Sequence, residues 1–164
     1  MKNLTARDVM TTDLYTVSPT LPLVDLQGEL YQRRISGAPV VEDGRLVGLV
    51  SRADIVRRVD LSHVFADFVL EYERDYEGRS TQGSDGTTPT DEIIGRQLSG
   101  LCVRDAMTTI PITATPDTPI SHIARLMHER RIHRVIVAEN GRPVGIVATL
   151  DLVRLLTEEP QRQE

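Results

Sequence analysis

Two near-copies of one short stretch hold the residues with the most chemistry in them. Gly48 to Asp54 reads GLVSRAD, and Gly145 to Asp151 reads GIVATLD. Each runs from a β-branched segment into a helix start. Glycine there admits a second backbone or a flat ligand, because no Cβ stands in the way. Ser51 falls where the helix begins, so the N–H groups of Arg52, Ala53 and Asp54 have no partner within it. That end carries about half a positive charge and suits a phosphate. Asp54, one turn further, can accept two hydrogen bonds from vicinal hydroxyls such as those of a ribose. Hydroxyl, amides and carboxylate together match the sugar-phosphate edge of a nucleotide. The same Ser51-x-x-Asp54 spacing also approximates a capping box, which serves the helix alone. In the second copy Ala148 replaces the serine, so no box can form in that register, yet Asp151 remains, and Thr149 is placed to cap one residue later. Both readings stay open.

The elements that position these residues are duplicated as well. Sliding the chain by 97 lays Arg7–Arg57 over Arg104–Arg154 without a gap, and 21 of the 51 pairs are identical. Each copy reads as β-α-β-β-α. A short strand, Leu14–Val17 or Ile112–Ala114, precedes a helix with apolar residues at Leu23, Leu26 and Leu30, or Ile120, Ile123 and Met127. Two β-branched runs follow, joined by Asp43-Gly44 or Asn140-Gly141, both strong hairpin signals. A last helix starts near Arg52 or Thr149. One unit is too small to bury its sheet alone, so two are expected to pack face to face about a pseudo-twofold axis. The expected divisions are repeat 1 at 7–58, a connector at 59–102 and repeat 2 at 103–156.

Charge is distributed unevenly. Residues 7–57 hold 6 basic and 7 acidic groups, residues 104–154 hold 7 and 5, and residues 58–103 hold 4 and 9. The net charge of −5 therefore sits mainly between the copies. No basic stripe is present, and aromatics at 4% leave little for base stacking, so nucleic acid is not an expected partner. Apolar runs are far short of the ~20 residues of a membrane span, and no secretory h-region opens the chain. With one cysteine, Cys102, the expected location is cytoplasmic, and that thiol is expected to be a small buried hydrophobe.

The set D-V-M-T…T-V-x-P…R-I-S-G-A-P-V-V…D-G-R-L-V-G-L-V-S-R-A-D resembles a CBS domain, and the tandem pair resembles a Bateman module. The resemblance spans about 100 of the 164 residues. It implies an α/β (α+β) fold of two βαββα repeats with a partly helical connector, and frequent homodimers. It also implies clefts between the paired repeats for adenosine-containing nucleotides, with Ser/Thr on phosphate and Asp on ribose. Ile132-His133-Arg134 resembles a step that meets phosphates in nucleotide-sensing CBS subunits.

The remaining walls follow from the residues. Before the first hairpin stand Ser36-Gly37-Ala38-Pro39, and before the second His133-Arg134-Val135-Ile136. Pro39 lacks an N–H and belongs at a strand end or edge, leaving nearby carbonyls for an adenine amine. Arg134 brings a donor fork suited to phosphate, and would serve equally as a surface arginine near Glu139 or Asp151. Thr16 and Thr113, on the first strands, are base contacts or plain exposed strand residues. The expected site is thus Thr16, Ser36, Gly37, Ala38, Pro39, Ser51, Arg52 and Asp54 in one copy, and Thr113, His133, Arg134, Val135, Thr149 and Asp151 in the other. One copy keeps the helix-end serine and the other the basic step, so two clefts would differ.

No catalytic set is visible. The histidines 63, 122, 128 and 133 form no metal-ligand spacing, and no nucleophile elbow or phosphate loop occurs. The expectation is a non-enzymatic regulatory protein, with no obligatory cofactor and an adenine nucleotide as ligand. The alternative is a ligand-free dimerisation scaffold. In the connector, Leu61, Phe65, Phe68, Tyr72 and Tyr76 make an apolar stripe over an expected helix at 61–77. That stripe suits packing within the chain or against a second copy. An apolar-free stretch, 78–90, reads as a loop, followed by a short helix at 91–98 capped by Thr90. No attached domain names a downstream partner.

Overall fold

The computed structural model describes residues 4–59 and 89–157. The aromatic stripe and the 78–88 part of the expected loop lie outside them. The elements run α1 (Ala6–Val9), α2 (Leu23–Gln32), β1 (Gly37–Glu42), β2 (Arg45–Ser51), α3 (Arg52–Val56), α4 (Pro89–Leu98), α5 (Val103–Ala106), β3 (Thr113–Ala114), α6 (Ile120–Arg130), β4 (Arg134–Glu139), β5 (Arg142–Ala148) and α7 (Thr149–Thr157). The fold is α+β, in two copies of one pattern. Thr90 lies inside α4 and does not precede it as a cap.

Both hairpins turn through residues with positive φ: Asp43 (50°) and Gly44 (74°), then Asn140 (53°) and Gly141 (78°). Two consecutive left-handed residues are what a tight primed turn requires, and Asp-Gly and Asn-Gly supply them at low cost. β4 and β5 pair antiparallel from Arg134 opposite Ala148 to Glu139 opposite Arg142, with an irregularity between Val137 and Ala138. β3 joins β4 in parallel, Thr113 opposite Ile136.

The matching strand of the first copy, expected at Leu14–Val17, shrinks to one parallel bridge between Val17 and Val40. Val17 N–H donates to Pro39 O (3.0 Å) and Val41 N–H to Val17 O (2.9 Å). Continuing the ladder toward Tyr15 would need an N–H at position 39, and proline has none. Ile136 stands at that position in the second copy, where the strand forms.

The chain divides into two compact units, one of residues 1–18, 38–49 and 108–164, the other of 19–37 and 50–107. In the first, Ala6 and Val9 of α1 share a core with Ile120, Ile123, Met127, Val135, Val137 and Val147. In the second, α2 buries Leu23, Leu26 and Leu30 completely, and Leu98 and Val103 are buried too. Each such side chain contributes about 1.5–3 kcal/mol. The segment leading each copy therefore serves the other copy. Thr5 bridges Pro119 and Cys102 bridges Pro22; Thr11 bridges Ile146 and Thr108 bridges Leu49. Under the shift of 97 these four bridges form two reciprocal pairs.

Candidate functional site

One structural device recurs at four helix starts. The backbone N–H of the residue before the helix donates to the carboxylate three positions on: Thr5 to Asp8 (2.8 Å), Ser51 to Asp54 (2.9 Å), Cys102 to Asp105 (2.8 Å) and Ala148 to Asp151 (2.7 Å). Where that residue has a hydroxyl or thiol, it donates to the same oxygen. Thr5 Oγ1 lies 2.9 Å from Asp8, Ser51 Oγ 2.6 Å from Asp54, and Cys102 Sγ 3.2 Å from Asp105. Half-buried Cys102 is thus a helix-start donor and not a buried hydrophobe, which corrects the expectation for that thiol. These backbone and side-chain bonds hold the Asp8 and Asp105 carboxyls below the usual carboxylate range, because they favour the charged form.

In the 19–37/50–107 unit, the capping box that was one of the two readings of Ser51-x-x-Asp54 is present. Asp54 Oδ2 takes both Ser51 donors, and Oδ1 meets Arg57 Nη1 at 2.6 Å. Arg57, three residues on along the same helix face, was not foreseen, though its i, i+3 spacing was readable. Nor are the helix-start amides all unpaired as expected. Arg52 N–H donates to Ser36 O (3.0 Å), and Asp54 N–H points at Ser51 Oγ (3.4 Å). The Arg52 guanidinium donates to Leu30 O (2.7 Å), near the end of α2. Gly37 is buried, and a Cβ on it would lie 2.6 Å from Val50 O, so glycine is required by the close approach of β1 to β2. Thr16, Ala38 and Pro39 belong to the other unit. There Thr16 is exposed, Ala38 and Pro39 are buried, and the Pro39 carbonyl accepts from the Val17 N–H.

All six second-copy residues fall within the unit of 1–18, 38–49 and 108–164. Thr113 lies exposed on β3, opposite Ile136. His133 is exposed, Arg134 half-buried and Val135 buried, in sequence at the entry to β4. Thr149 N–H and Oγ1 both donate to His133 O (3.0 and 3.1 Å), so Thr149 ties α7 to the basic step and does not cap one residue later. Arg134 is opposite Ala148. Its partial burial pulls the guanidinium below its ordinary value, while it remains a cation. Asp151 Oδ2 is held by the Ala148 amide, and among the described residues no other bond reaches this carboxylate. His133, Arg134, Thr149 and Asp151 thus lie along the junction of β4, β5 and α7, with Thr149 bonded to the His133 carbonyl. Among the described residues no group of three or more His, Cys, Asp and Glu side chains could hold a metal ion. None of the described helices is long and apolar enough to cross a membrane.

The CBS domain family model matches residues 6–61 and again 103–158. The CBS domain-containing protein YhcV of Bacillus subtilis is 27% identical over 89% of this chain and 81% of its own. The solved CBS domain of a CBS domain-containing membrane protein from Sphaerobacter thermophilus is 27% identical with a TM-score of 0.69, covering 96% of this chain and 91% of that one. CBSX2 of Arabidopsis thaliana, solved in complex with AMP, is 23% identical with a TM-score of 0.67, covering 94% and 96%.

Proposed function

The chain belongs to the CBS domain family by both of its repeats, and on that premise we propose that it is a non-enzymatic regulatory module whose ligand contains adenosine. What supports this reading is the second-copy cluster. Asp151 keeps one carboxylate oxygen without a bond, and the carbonyl of His133, next to Arg134 in the chain, is tied by Thr149 to the start of the same helix. In the proposed complex that oxygen accepts ribose hydroxyls, Arg134 and His133 face phosphate, and Thr113 borders the base. The AMP bound by CBSX2 supports the adenosine half of the ligand. Ser36, Gly37, Ser51, Arg52 and Asp54, all within the other unit, form the weaker candidate, because Asp54 already uses both oxygens. We further propose a cytoplasmic homodimer, with the nucleotide as a regulatory ligand and not an obligatory cofactor.

Thermal melting with AMP, ADP, ATP and S-adenosylmethionine, each at millimolar concentration, tests the reading. A ligand at 100 times its dissociation constant stabilises the native state by ~2.7 kcal/mol, which raises the melting temperature by several degrees. The full use of the Asp54 carboxylate favours a second reading, a ligand-free scaffold. Four flat melting curves would favour that one in its place.

A further inference from the structure

The groove between α6 and α7 holds about 920 Å³ and is lined by His128, Glu129, Arg131, His133, Thr149 and Leu152 among others. His133 and Thr149 also belong to the proposed nucleotide site, so groove and site are continuous. Beyond those two residues the groove adds His128 and Arg131, both exposed. The chain here reads His-Glu-Arg-Arg-Ile-His-Arg from 128 to 134, three arginines and two histidines against one glutamate. Among the described residues the Arg131 guanidinium has no hydrogen bond or ion pair.

The turn itself does not explain Arg131. It ends α6 with φ 53°, a left-handed conformation that strains any residue with a Cβ and that glycine takes freely. Its amide and that of Ile132 donate to His128 O and Met127 O, bonds that glycine would make with less strain. A cation gains from the negative end of a helix, but His128 and Arg130 already stand in the last turn. The other copy gives the contrast. Under the shift of 97, Tyr31 replaces His128 and Ser36 replaces His133. The groove there, about 580 Å³, is lined mainly by apolar side chains such as Val24, Ile55 and Val56. Arg34 corresponds to Arg131 and shares its positive φ (54°), yet it is not part of that lining.

We propose that the α6–α7 groove takes the phosphate chain of the nucleotide, with Arg131 on the outer phosphates, so that the ligand is an adenosine polyphosphate in preference to the monophosphate. The inference rests on the adenosine reading above and names the part of the ligand that reading leaves open. Each further phosphate adds negative charge where the groove offers a free donor fork and an imidazole. An adenosine bearing a cationic sulfonium would meet like charge there.

Calorimetric titration of the full chain with AMP, ADP and ATP, at low salt and without magnesium, tests the assignment on wild type, Arg131→Gly and Arg34→Gly. Wild type is expected to bind ATP roughly tenfold tighter than AMP, with ADP between, and the gap should narrow as salt is raised. Arg131→Gly should lose most of that gap by weakening ATP, with AMP affinity held within about twofold, and should melt close to wild type because glycine suits the turn. Arg34→Gly makes the same exchange in the other unit and should keep the gap. ATP no tighter than AMP would overturn the phosphate groove while leaving the adenosine reading in place. So would a gap that survives Arg131→Gly, one lost equally in Arg34→Gly, or an Arg131→Gly variant that weakens AMP as much as ATP. If none of the three nucleotides binds wild type, the adenosine reading falls and takes this assignment with it.

Discussion

Asp54 and Asp151 occupy equivalent positions, yet their surroundings assign them different work. Asp54 accepts from the Ser51 amide and hydroxyl and meets Arg57, so its loss strips a helix start of its cap. Asp54→Ala is expected to lower stability by about 1 kcal/mol, read as a shift in the urea midpoint. Asp151→Ala removes one amide bond, and with it the carboxylate proposed for ribose. It is expected to weaken nucleotide binding by ~1.5–3 kcal/mol in calorimetric titration, with the smaller change in melting of the two. If Asp151→Ala binds like wild type and melts as low as Asp54→Ala, both carboxylates are only caps. The other two boxes set an acid limit. Hydrogen bonds depress the folded-state values of Asp8 and Asp105, so their contribution is complete above the unfolded carboxylate value and fades as pH falls through the folded one. Urea midpoints compared at pH 7, 4 and 3 should fall less steeply on acidification in Asp8→Asn/Asp105→Asn than in wild type. Parallel curves would show that these bonds set no acid limit.

At the scale of elements, β5 depends on a close approach at its glycine. A Cβ on Gly145 would overlap the Met10 sulfur and stand 2.8 Å from its Cγ, so α1 and its C-terminal methionine lie flush on β5. Gly145→Ala should destabilise by about 1–3 kcal/mol, the cost of overpacking. Met10→Ala should recover part of that in the double variant, a non-additivity that a thermodynamic cycle measures. Additive losses would mean that Met10 is not the obstacle. The repeat, the hairpins and the helix faces were legible in the sequence, because turn residues and apolar spacing are local signals. That His133, Arg134, Thr149 and Asp151 fall in one β-β-α unit was legible for the same reason. What the sequence hid was pairing. That Pro39 reduces the first strand to a single bridge depends on which strand faces it, and the occupied Arg52 amide depends on where Ser36 O comes to lie. Neither partner is fixed by neighbouring residues.

For the whole molecule, the exchange of leading segments makes each copy incomplete alone. Ala6 and Val9 fill a core built from residues 120–147, while Cys102 and Val103 lie against the entry to α2. Chains cut within residues 60–88 should each fail to give a cooperative melt, and the two fragments mixed should regain one. Independent melting of either fragment would show that the borrowed segments are dispensable. The reciprocity of these bridges also bears on descent. A duplication whose halves complete each other in matching ways is what results when the gene of a self-pairing single-repeat ancestor is doubled and fused. The ancestral chain would have lent its leading arm to a twin, and fusion turned that loan between molecules into a permanent bond within one. Since then the halves have been free to drift apart, and a basic step could arise in one while a serine persisted in the other.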